Sequence, residues 1–244
     1  SLPFAALQLG LDKRLSKATA KMGFVYATMV QAKFIPLALS GKDILARART
    51  GSGKTAAYSL PLLQKLLVSK EKSLAAGEPG EASVKAVVLV PTRELVDQVR
   101  AHLWELMYYC RDVLTVMGLS GESVEAQQAR LRDRPDIVVA TPARLLAHLK
   151  SGALSLRDSC EMLVVDEADL VLSFGHSADM HSLAPFLPRS CQCFLMSATL
   201  SDDLRSLQSV LLHSPVVLKL EEGREKGKLA QYYVTVPQRD KLLL

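Results

Sequence analysis

The stretch Ala48-Arg49-Thr50-Gly51-Ser52-Gly53-Lys54-Thr55 decides the fold of this 244-residue chain. It follows the apolar run Asp43–Ala46 and precedes a helix-period segment that begins at Lys54. Glycines at such a junction let backbone N–H groups curl around phosphate oxygens, and the helix N-terminus adds partial positive charge. The stretch therefore predicts a phosphate-binding loop, in which Lys54 faces the β and γ phosphates and Thr55 offers its hydroxyl to Mg²⁺. The residues expected to bind the nucleotide in and after this loop are Thr50, Gly51, Ser52, Gly53, Lys54, Thr55 and Ala56.

A pair of acids, Asp166-Glu167, follows the apolar run Leu163-Val164-Val165. If this run is a strand of the same parallel sheet, its carboxyl end lies at the same edge as the phosphate loop. We then expect Asp166 to hold Mg²⁺, with Thr55, and Glu167 to orient and deprotonate an attacking water. The catalytic candidates are therefore Glu167, Lys54 and Asp166. Taken alone, an acidic pair after a strand is also ordinary for a helix N-terminus, so this interpretation depends on the phosphate loop.

Short apolar runs alternate with helix-period segments along the chain. The predicted strands are Asp43–Ala46, Ala86–Val90, Leu114–Met117, Asp136–Ala140, Met162–Val165, Cys193–Met196 and Val216–Leu218. The predicted helices are Lys54–Leu67, Arg93–Tyr109, Ser123–Leu131, Pro142–Lys150 and Asp202–Leu212. Strands that are apolar on both faces need cover on both sides, so the pattern predicts a three-layer α/β fold with a parallel sheet between helices.

Composition and charge are those of an ordinary globular protein. The chain is 49% hydrophobic and 23% charged, with a formal net charge of +5 that permits a nucleic-acid partner without requiring one. The four cysteines, Cys110, Cys160, Cys191 and Cys193, have no zinc-finger spacing and are expected to be buried thiols; the C-x-C pair would share one face of a strand. The N-terminus does not resemble a signal peptide, and no apolar run reaches membrane-spanning length. We expect no membrane association.

Two segments are predicted to be a loop and a linker. Ser69–Lys85 is expected to be a surface insertion, and the charged stretch Glu221–Lys228 an interdomain linker. Gln231–Val236 then alternates like a strand and Asp240–Leu244 begins a helix. We therefore predict one domain over residues 1–220, with residues 221–244 forming a linker and the start of a second domain. Because the chain starts at Ser1, we expect it to be a fragment.

The four residues after the Leu163–Val165 run form a more specific pattern than binding of phosphate and Mg²⁺ alone requires. Asp166-Glu167-Ala168-Asp169 spells D-E-A-D, and from Phe4 to its end the chain resembles the DEAD-box RNA helicases. The other motifs of the family's first domain appear in order: Gly23-Phe24 through Thr28 to Gln31 (Q motif), Ala48–Thr55 (motif I, with its initial alanine), Pro91-Thr92-Arg93-Glu94-Leu95 (motif Ia), Thr141-Pro142-Ala143-Arg144 (motif Ib) and Ser197-Ala198-Thr199 (motif III). The resemblance implies a RecA-like P-loop NTPase fold.

The resemblance also implies how the base of ATP is recognised. Gln31 would read the adenine edge, since its amide both donates and accepts hydrogen bonds, with Phe24 and Thr28 beside it. Phe4 would stack on the base. Without these neighbours, Gln31 would be read as a surface helix residue and Phe4 as a core residue. The implied ligands are ATP or ADP with Mg²⁺.

A further set of residues would contact the sugar-phosphate backbone of RNA. By resemblance these are Pro91, Thr92, Arg93, Gly121, Thr141, Pro142 and Arg144. Contacts of this kind carry no base information, so binding independent of RNA sequence is expected. Asp169, Ser197 and Thr199 would couple the nucleotide state to the grip on RNA, opposite a second RecA-like domain of the same chain.

Several positions depart from the family pattern. Ala27 stands where proline is usual, Phe4 lies two residues further upstream of Gly23, and Ser120-Gly121 replaces a glycine pair. Ala143 replaces a glycine, and Ser173-Phe174-Gly175-His176 reorders a common glycine-phenylalanine pair. The last stretch, with Leu45–Arg49 and Phe194-Leu195-Met196, looks most like the nucleolar subgroup that serves assembly of the large ribosomal subunit.

The sequence therefore predicts the N-terminal half of an ATP-dependent RNA helicase, an enzyme that couples ATP hydrolysis to RNA binding and local duplex unwinding in ribosome biogenesis. Pre-ribosomal proteins would be partners, and the expected location is the nucleus, in the nucleolus, with the cytoplasm as the alternative. Two other functions stay open: a non-unwinding ATP-dependent RNA clamp or scaffold, and a DNA-directed or processive relative. The fragment by itself is expected to be weakly active or inactive.

Overall fold

The strands of this computed structural model, which describes residues 3–7, 9–77 and 83–220, form one parallel sheet. Within those residues the sheet has seven strands: β1 (Ile44–Arg47), β2 (Ala86–Leu89), β3 (Val116–Gly118), β4 (Ile137–Ala140), β5 (Met162–Val165), β6 (Gln192–Ser197) and β7 (Val216–Lys219). Their spatial order is β3-β4-β2-β5-β6-β1-β7. Each predicted strand is present, with ends that differ by at most two residues from those expected.

Nine α-helices connect the strands in the described part of the chain: α1 (Lys13–Lys21), α2 (Met29–Leu39), α3 (Lys54–Ala75), α4 (Arg93–Leu106), α5 (Val124–Leu131), α6 (Pro142–Lys150), α7 (Ala168–Val171), α8 (Ser177–Leu183) and α9 (Asp202–Leu211). Short 3₁₀ turns lie at Phe4–Leu7 and Ala184–Phe186, and a π turn lies at Leu172–His176. None of these helices is long and apolar enough to cross a lipid bilayer.

In strands β1 to β6, alternate residues belong to two different hydrophobic cores. In β2, Ala86 and Val88 pack into the core formed with α2, α3 and α4, while Val87 and Leu89 pack into the core formed with α6, α8 and α9. The side-chain period of two in a strand produces this division. The predicted three-layer arrangement, with helices on both faces of a parallel sheet, is confirmed.

The predicted surface insertion Ser69–Lys85 is wrong over its first seven residues, because α3 continues to Ala75. Long-range polar contacts stabilise this extension: Ser69 Oγ donates to Glu161, Lys70 Nζ lies 2.8 Å from Asp136, and Glu71 pairs with Arg14. These partners are far apart in the sequence, so local composition could not indicate them. The expected linker and second-domain segments from 221 to 244 lie outside the described residues.

All four cysteines are free and buried, as expected. Cys191 and Cys193 pack into the same core, together with Cys160, which confirms the shared face of the C-x-C pair. They lie at the amino end of β6, the edge opposite the phosphate loop.

Candidate nucleotide-binding site

The phosphate loop begins where β1 ends, between its neighbours β6 and β7. The N–H group of Ala48 donates to the carbonyl oxygen of Ser197 at 2.9 Å, which attaches the start of the loop to the end of β6. Gly51 and Gly53 have φ angles of +80° and +88°, in the left-handed region that glycine adopts without strain. Ser52 Oγ donates to the carbonyl oxygen of Arg49 at 2.7 Å. The loop is therefore closed on itself by local hydrogen bonds, and its glycines turn the backbone toward α3.

The N-terminus of α3 has no side-chain cap. Its N-cap residue is Gly53, whereas α1, α2, α4, α5 and α9 each begin with a side chain that accepts a backbone hydrogen bond. The first N–H groups of a helix have no intrahelical acceptor, and they carry partial positive charge. This end of α3 is accordingly suited to accept an anion.

Lys54, Asp166 and Glu167 converge beside this helix end. Lys54 is buried, and its ammonium group donates to the carbonyl oxygen of Ala48 at 3.0 Å. Asp166, also buried, directly follows β5, and its N–H group donates to Leu89 of the neighbouring strand β2 at 2.8 Å. The Glu167 N–H group donates to Asp166 Oδ1 at 2.9 Å. The sheet thus brings together the three residues predicted to be catalytic.

The backbone of Glu167 is held in an unusual conformation. Its φ of +50° places a non-glycine residue in the left-handed region, at the N-cap of α7. Such a conformation is disfavoured by about 1–3 kcal/mol and is often found at functional sites. Here it directs the two successive acids into different environments, since Asp166 is buried and Glu167 is partly exposed.

The two carboxyl groups have raised pKa values. Burial raises the pKa of Asp166, against the opposing effect of the nearby Lys54 ammonium. Burial also raises the pKa of Glu167, and the charge of Asp166 raises it further. A raised pKa makes Glu167 a better proton acceptor near neutral pH than an ordinary surface carboxylate.

A cleft of about 520 Å³ lies over the loop. Of the predicted nucleotide-binding residues, those lining it are Phe24, Gln31, Thr50, Gly51, Gly53, Lys54, Thr55 and Ala56, together with Asp166 and Glu167. Thr28 and Ser52 are not among the described lining residues and instead support their own elements. Val90, Leu95, Gln98, Val99 and His102 complete the wall. The sequence reading did not assign these five to the cleft, because the spacing of one helix does not reveal which face meets the loop of another.

Gln31 connects the second helix to the phosphate loop. Its Oε1 accepts from the Thr28 N–H group at 3.0 Å, Thr28 Oγ1 accepts from the Gln31 N–H group at 3.2 Å, and Gln31 Nε2 donates to the Gly53 carbonyl oxygen at 3.4 Å. The first two bonds form a capping box at the start of α2. In this structure the amide therefore contacts protein at both ends while it lines the cleft.

The structure does not bring Phe4 to the described lining of the cleft, so its position gives no support to the expected stacking on adenine. The Phe4 ring is 8% exposed, and its centroid lies 5.8 Å from that of Phe24 in an edge-on contact. Phe24 is the aromatic residue of the pair that lines the cleft.

The residues predicted to contact RNA lie at the carboxyl ends of β2, β4 and β3. Thr92 and Thr141 are the N-caps of α4 and α6, Arg93 is exposed, and Arg144 is partly exposed. Gly121 is exposed, with a φ of +69°. Pro91 and Pro142 are buried, so their part would be to start the helices rather than to contact a ligand through the ring. Because β2 is next to β5, this group and the cleft occupy adjacent parts of the same edge.

Asp169, Ser197 and Thr199 form one hydrogen-bonded cluster. Asp169 Oδ2 accepts from the N–H group and the hydroxyl of Thr199, at 3.1 and 3.0 Å. Ser197 Oγ donates to the carbonyl oxygen of Thr199 at 2.8 Å. The cluster joins the segment after β5 to the carboxyl end of β6.

The side chains at the cleft fit a magnesium-bound nucleotide better than a metal bound by protein alone. The described residues contain no group of three or more His, Cys, Asp or Glu side chains that could hold a metal ion. Asp166 and Thr55 offer one carboxylate and one hydroxyl, and Mg²⁺ is commonly held by one or two protein oxygens with the rest supplied by phosphates and water. The uncapped end of α3 and the buried Lys54 match the phosphates.

Comparison with known proteins identifies the family. Residues 28–207 match the family described as DEAD/DEAH box helicase. The chain belongs to the DEAD/DEAH box helicase family. It is 50% identical over 238 residues to the probable ATP-dependent RNA helicase ddx56 of Dictyostelium discoideum, covering 97% of this chain and 34% of that protein. It is 46% identical over 235 residues to the ATP-dependent RNA helicase dbp9 of Schizosaccharomyces pombe, covering 96% of this chain and 38% of that protein.

Solved structures agree with the helicase fold. The DEAD box protein from the hyperthermophile Methanococcus jannaschii superposes with a TM-score of 0.79 at 29% identity, over 91% of this chain and 56% of that chain. S. cerevisiae dbp5 superposes with a TM-score of 0.76 at 26% identity, over 91% and 53%. The RecA-like fold is thereby confirmed. The DEAD-box chain described here spans about a third of the length of the two curated relatives.

Proposed function

We propose that this chain is the ATP-binding half of an ATP-dependent RNA helicase that hydrolyses ATP while it holds one RNA strand. The observation that carries the proposal is the convergence of buried Lys54, buried Asp166 and partly exposed Glu167 on the uncapped N-terminus of α3. This arrangement provides a cation for phosphates, an oxygen ligand for a divalent ion and a base, all at one edge of the sheet.

In the proposed mechanism, each residue acts on the phosphates or on water. The N–H groups of the first turn of α3 and the Lys54 ammonium would bind the β and γ phosphates. Asp166 and Thr55 would hold Mg²⁺, which supplies charge neutralisation on the phosphates. Glu167 would accept a proton from the attacking water, for which its raised pKa is favourable. Gln31 and Phe24 would contact the base, and ATP would be selected by the amide of Gln31.

RNA would bind along the neighbouring part of the edge. Thr92, Arg93, Gly121, Thr141 and Arg144 would contact the sugar-phosphate backbone, independent of sequence. The cluster of Asp169 with Thr199 would transmit the nucleotide state toward this surface and toward a second RecA-like domain. Support comes from the strand order, which makes β2 and β5 neighbours.

The variant Glu167→Gln tests the mechanism in the whole protein. We expect it to bind ATP and RNA with wild-type affinity while ATP turnover falls by about 10²–10⁴-fold, the usual contribution of a general base. Glu71→Gln, at an exposed ion pair on the distal part of α3, is the matched control and should retain turnover. Normal turnover by Glu167→Gln would refute the assignment of the base.

A strand-displacement assay separates the helicase from the clamp. We expect ATP-dependent separation of a short RNA duplex; RNA retention in the presence of ATP without separation would favour a non-unwinding clamp. Stimulation of ATPase activity by RNA but not DNA would oppose the DNA-directed alternative.

We further propose a place in ribosome assembly with pre-ribosomal proteins, in the nucleolus. The proposal is based on the sequence patterns at Leu45–Arg49 and Phe194–Met196. Depletion of the protein should cause unprocessed large-subunit precursor RNA to accumulate, and the tagged protein should give a nucleolar signal.

A further inference from the structure

The hydroxyl of Tyr58 is a buried polar group that has no part in the function described so far. Tyr58 lies on α3, one turn beyond Lys54 and Thr55, and it has no exposed surface. Among the described residues, its hydroxyl has no hydrogen-bond partner of ordinary geometry. A buried hydroxyl left unsatisfied destabilises the folded state. A phenylalanine would fill nearly the same space without that cost, so the hydroxyl is unfavourable unless some state of the protein gives it partners.

The groups around this hydroxyl are the ones that the cleft would use for a cation. Burial raises the pKa of Tyr58 and the charges of Asp166 and Glu167 raise it further, so both carboxylates act on its hydroxyl. Thr55 precedes Tyr58 by three residues on α3, which places the two side chains on the same face of the helix. Asp166 and Thr55 are also the two side chains with oxygen atoms suited to Mg²⁺. The tyrosine therefore lies behind the proposed cation site, near both of its protein ligands, but it is not among the described residues that line the cleft.

We propose that Tyr58 is a positioning residue that links Thr55 to Asp166 when Mg²⁺ and nucleotide are bound. The Tyr58 oxygen accepts a hydrogen bond from the Thr55 hydroxyl, and the Tyr58 O–H group donates to the Asp166 carboxylate. A hydroxyl that binds a cation through its oxygen has to direct its proton elsewhere, and Tyr58 provides an acceptor for it. The inference rests on the proposed function, because it assumes that Thr55 and Asp166 hold the cation.

The direction of both bonds follows from the chemistry of the three groups. An ionised carboxylate only accepts, so Tyr58 has to be the donor to Asp166. Once its proton is committed there, the same oxygen can only accept from Thr55. Groups of this kind behind a metal ligand fix its orientation, and their loss typically weakens metal affinity by about 10–100-fold.

The test uses the 244-residue chain and the variant Tyr58→Phe. The affinity for a fluorescent ADP analogue is measured from chelator alone to saturating Mg²⁺. We expect the Mg²⁺ concentration for half-maximal binding to rise by about 10-fold or more in Tyr58→Phe, while the affinity in chelator equals that of the wild type. Ser59→Ala is the matched control, since it removes another fully buried, unpaired hydroxyl from the next position of α3 and should follow the wild type.

Two further measurements distinguish positioning from packing. The melting temperature of ligand-free Tyr58→Phe should equal or exceed that of the wild type, because the variant removes an unsatisfied group. The effects of Tyr58→Phe and Thr55→Val on Mg²⁺ dependence should be non-additive, as for residues of one network. Additive effects, or wild-type Mg²⁺ dependence in Tyr58→Phe, would overturn the inference alone. A wild-type chain whose nucleotide affinity does not depend on Mg²⁺ would overturn the proposed cation site together with it.

Discussion

Gly53 is the residue whose missing side chain matters most to the cleft. Its φ is +88°, and a Cβ atom there would lie 2.8 Å from Gln31 Nε2 and 3.2 Å from Thr28 Oγ1. We expect Gly53→Ala to lower the free energy of unfolding by about 1–3 kcal/mol, through backbone strain, and to weaken nucleotide binding by about 10-fold or more, through displacement of the loop from α2. Urea denaturation and nucleotide titration measure the two effects.

Gly152 offers a control for the effect of backbone strain at a positive φ angle. Its φ is +73°, a Cβ atom there would meet nothing within 4 Å, and it follows α6, away from the cleft. Gly152→Ala should lose about 1–2 kcal/mol of stability with unchanged nucleotide affinity. If Gly53→Ala also kept its nucleotide affinity, the contact between Gln31 and the loop would have no part in binding.

The burial of His102 predicts how the free energy of unfolding depends on pH. It lines the cleft, its Nε2 has no partner among the described residues, and burial lowers its pKa below the ordinary value of 6.5. A lowered histidine pKa means that the unfolded chain takes up a proton first as the pH falls. The stability contributed by neutral His102 is therefore complete above pH 6.5 and is lost between 6.5 and the lower pKa of the folded state.

Urea denaturation at several pH values checks this prediction. We expect His102→Gln to show a smaller fall in unfolding free energy between neutral and mildly acidic pH than the wild type. His181→Gln, at an exposed histidine on α8, should keep the wild-type pH dependence. An identical pH dependence in all three proteins would contradict the role given to His102.

At the scale of elements, Asp136 holds together the strands at one end of the sheet. It precedes β4, is buried, and accepts from the N–H group and hydroxyl of Thr115, at 2.8 and 3.0 Å. Lys70 of α3 lies 2.8 Å away and also donates to the Val113 carbonyl oxygen at 2.7 Å. We expect Asp136→Ala to lower the free energy of unfolding by about 1–3 kcal/mol, since the N–H group and hydroxyl of Thr115 lose their buried acceptor. Chemical denaturation measures the loss, and Asp133→Ala, at an exposed acid three residues earlier, should change stability by about 0.5 kcal/mol or less.

The contact between Lys70 and Asp136 shows which elements could be predicted from the sequence and which could not. Met162–Val165 was predicted to the residue, because an apolar run on both faces followed by two acids has few other interpretations. The far end of α3 was not, since Ser69, Lys70 and Glu71 read as a polar loop until their partners from three distant segments are known. Local patterns therefore predicted what each strand is, while the length of α3 depends on tertiary contacts.

The candidate site likewise contains residues that could be predicted from the sequence and residues that could not. Lys54, Thr55, Asp166 and Glu167 could be predicted because phosphate chemistry needs those residue types at that spacing. Phe4 is buried in the core although the resemblance placed it at the cleft, because the letters of a motif do not determine where an aromatic residue far upstream packs. His102 and Tyr58 were missed because their importance comes from burial beside the site, which no short motif records.

At the scale of the whole molecule, the cleft has a single fixed positive charge. Lys54 is the one lysine or arginine among the described residues that line it. Phosphoryl transfer develops charge on the γ-phosphate oxygens, and an additional arginine is worth about 10³–10⁵ in rate in related enzymes. We therefore expect a polypeptide of these 244 residues to bind nucleotide but to hydrolyse ATP slowly, with little stimulation by RNA and no duplex separation.

Steady-state ATPase measurements with and without single-stranded RNA test this expectation. Addition in trans of a second RecA-like domain from one of the relatives should raise the rate if that domain supplies the missing cation, and the increase should disappear when its arginines near the nucleotide are replaced. Within the 244-residue chain, Glu167→Gln should reduce even the slow basal rate, which shows that the residual turnover comes from this cleft. Rapid, RNA-stimulated turnover by the 244 residues alone would mean that Lys54 and the α3 N-terminus suffice for catalysis, and that the cleft is a complete active site rather than half of one.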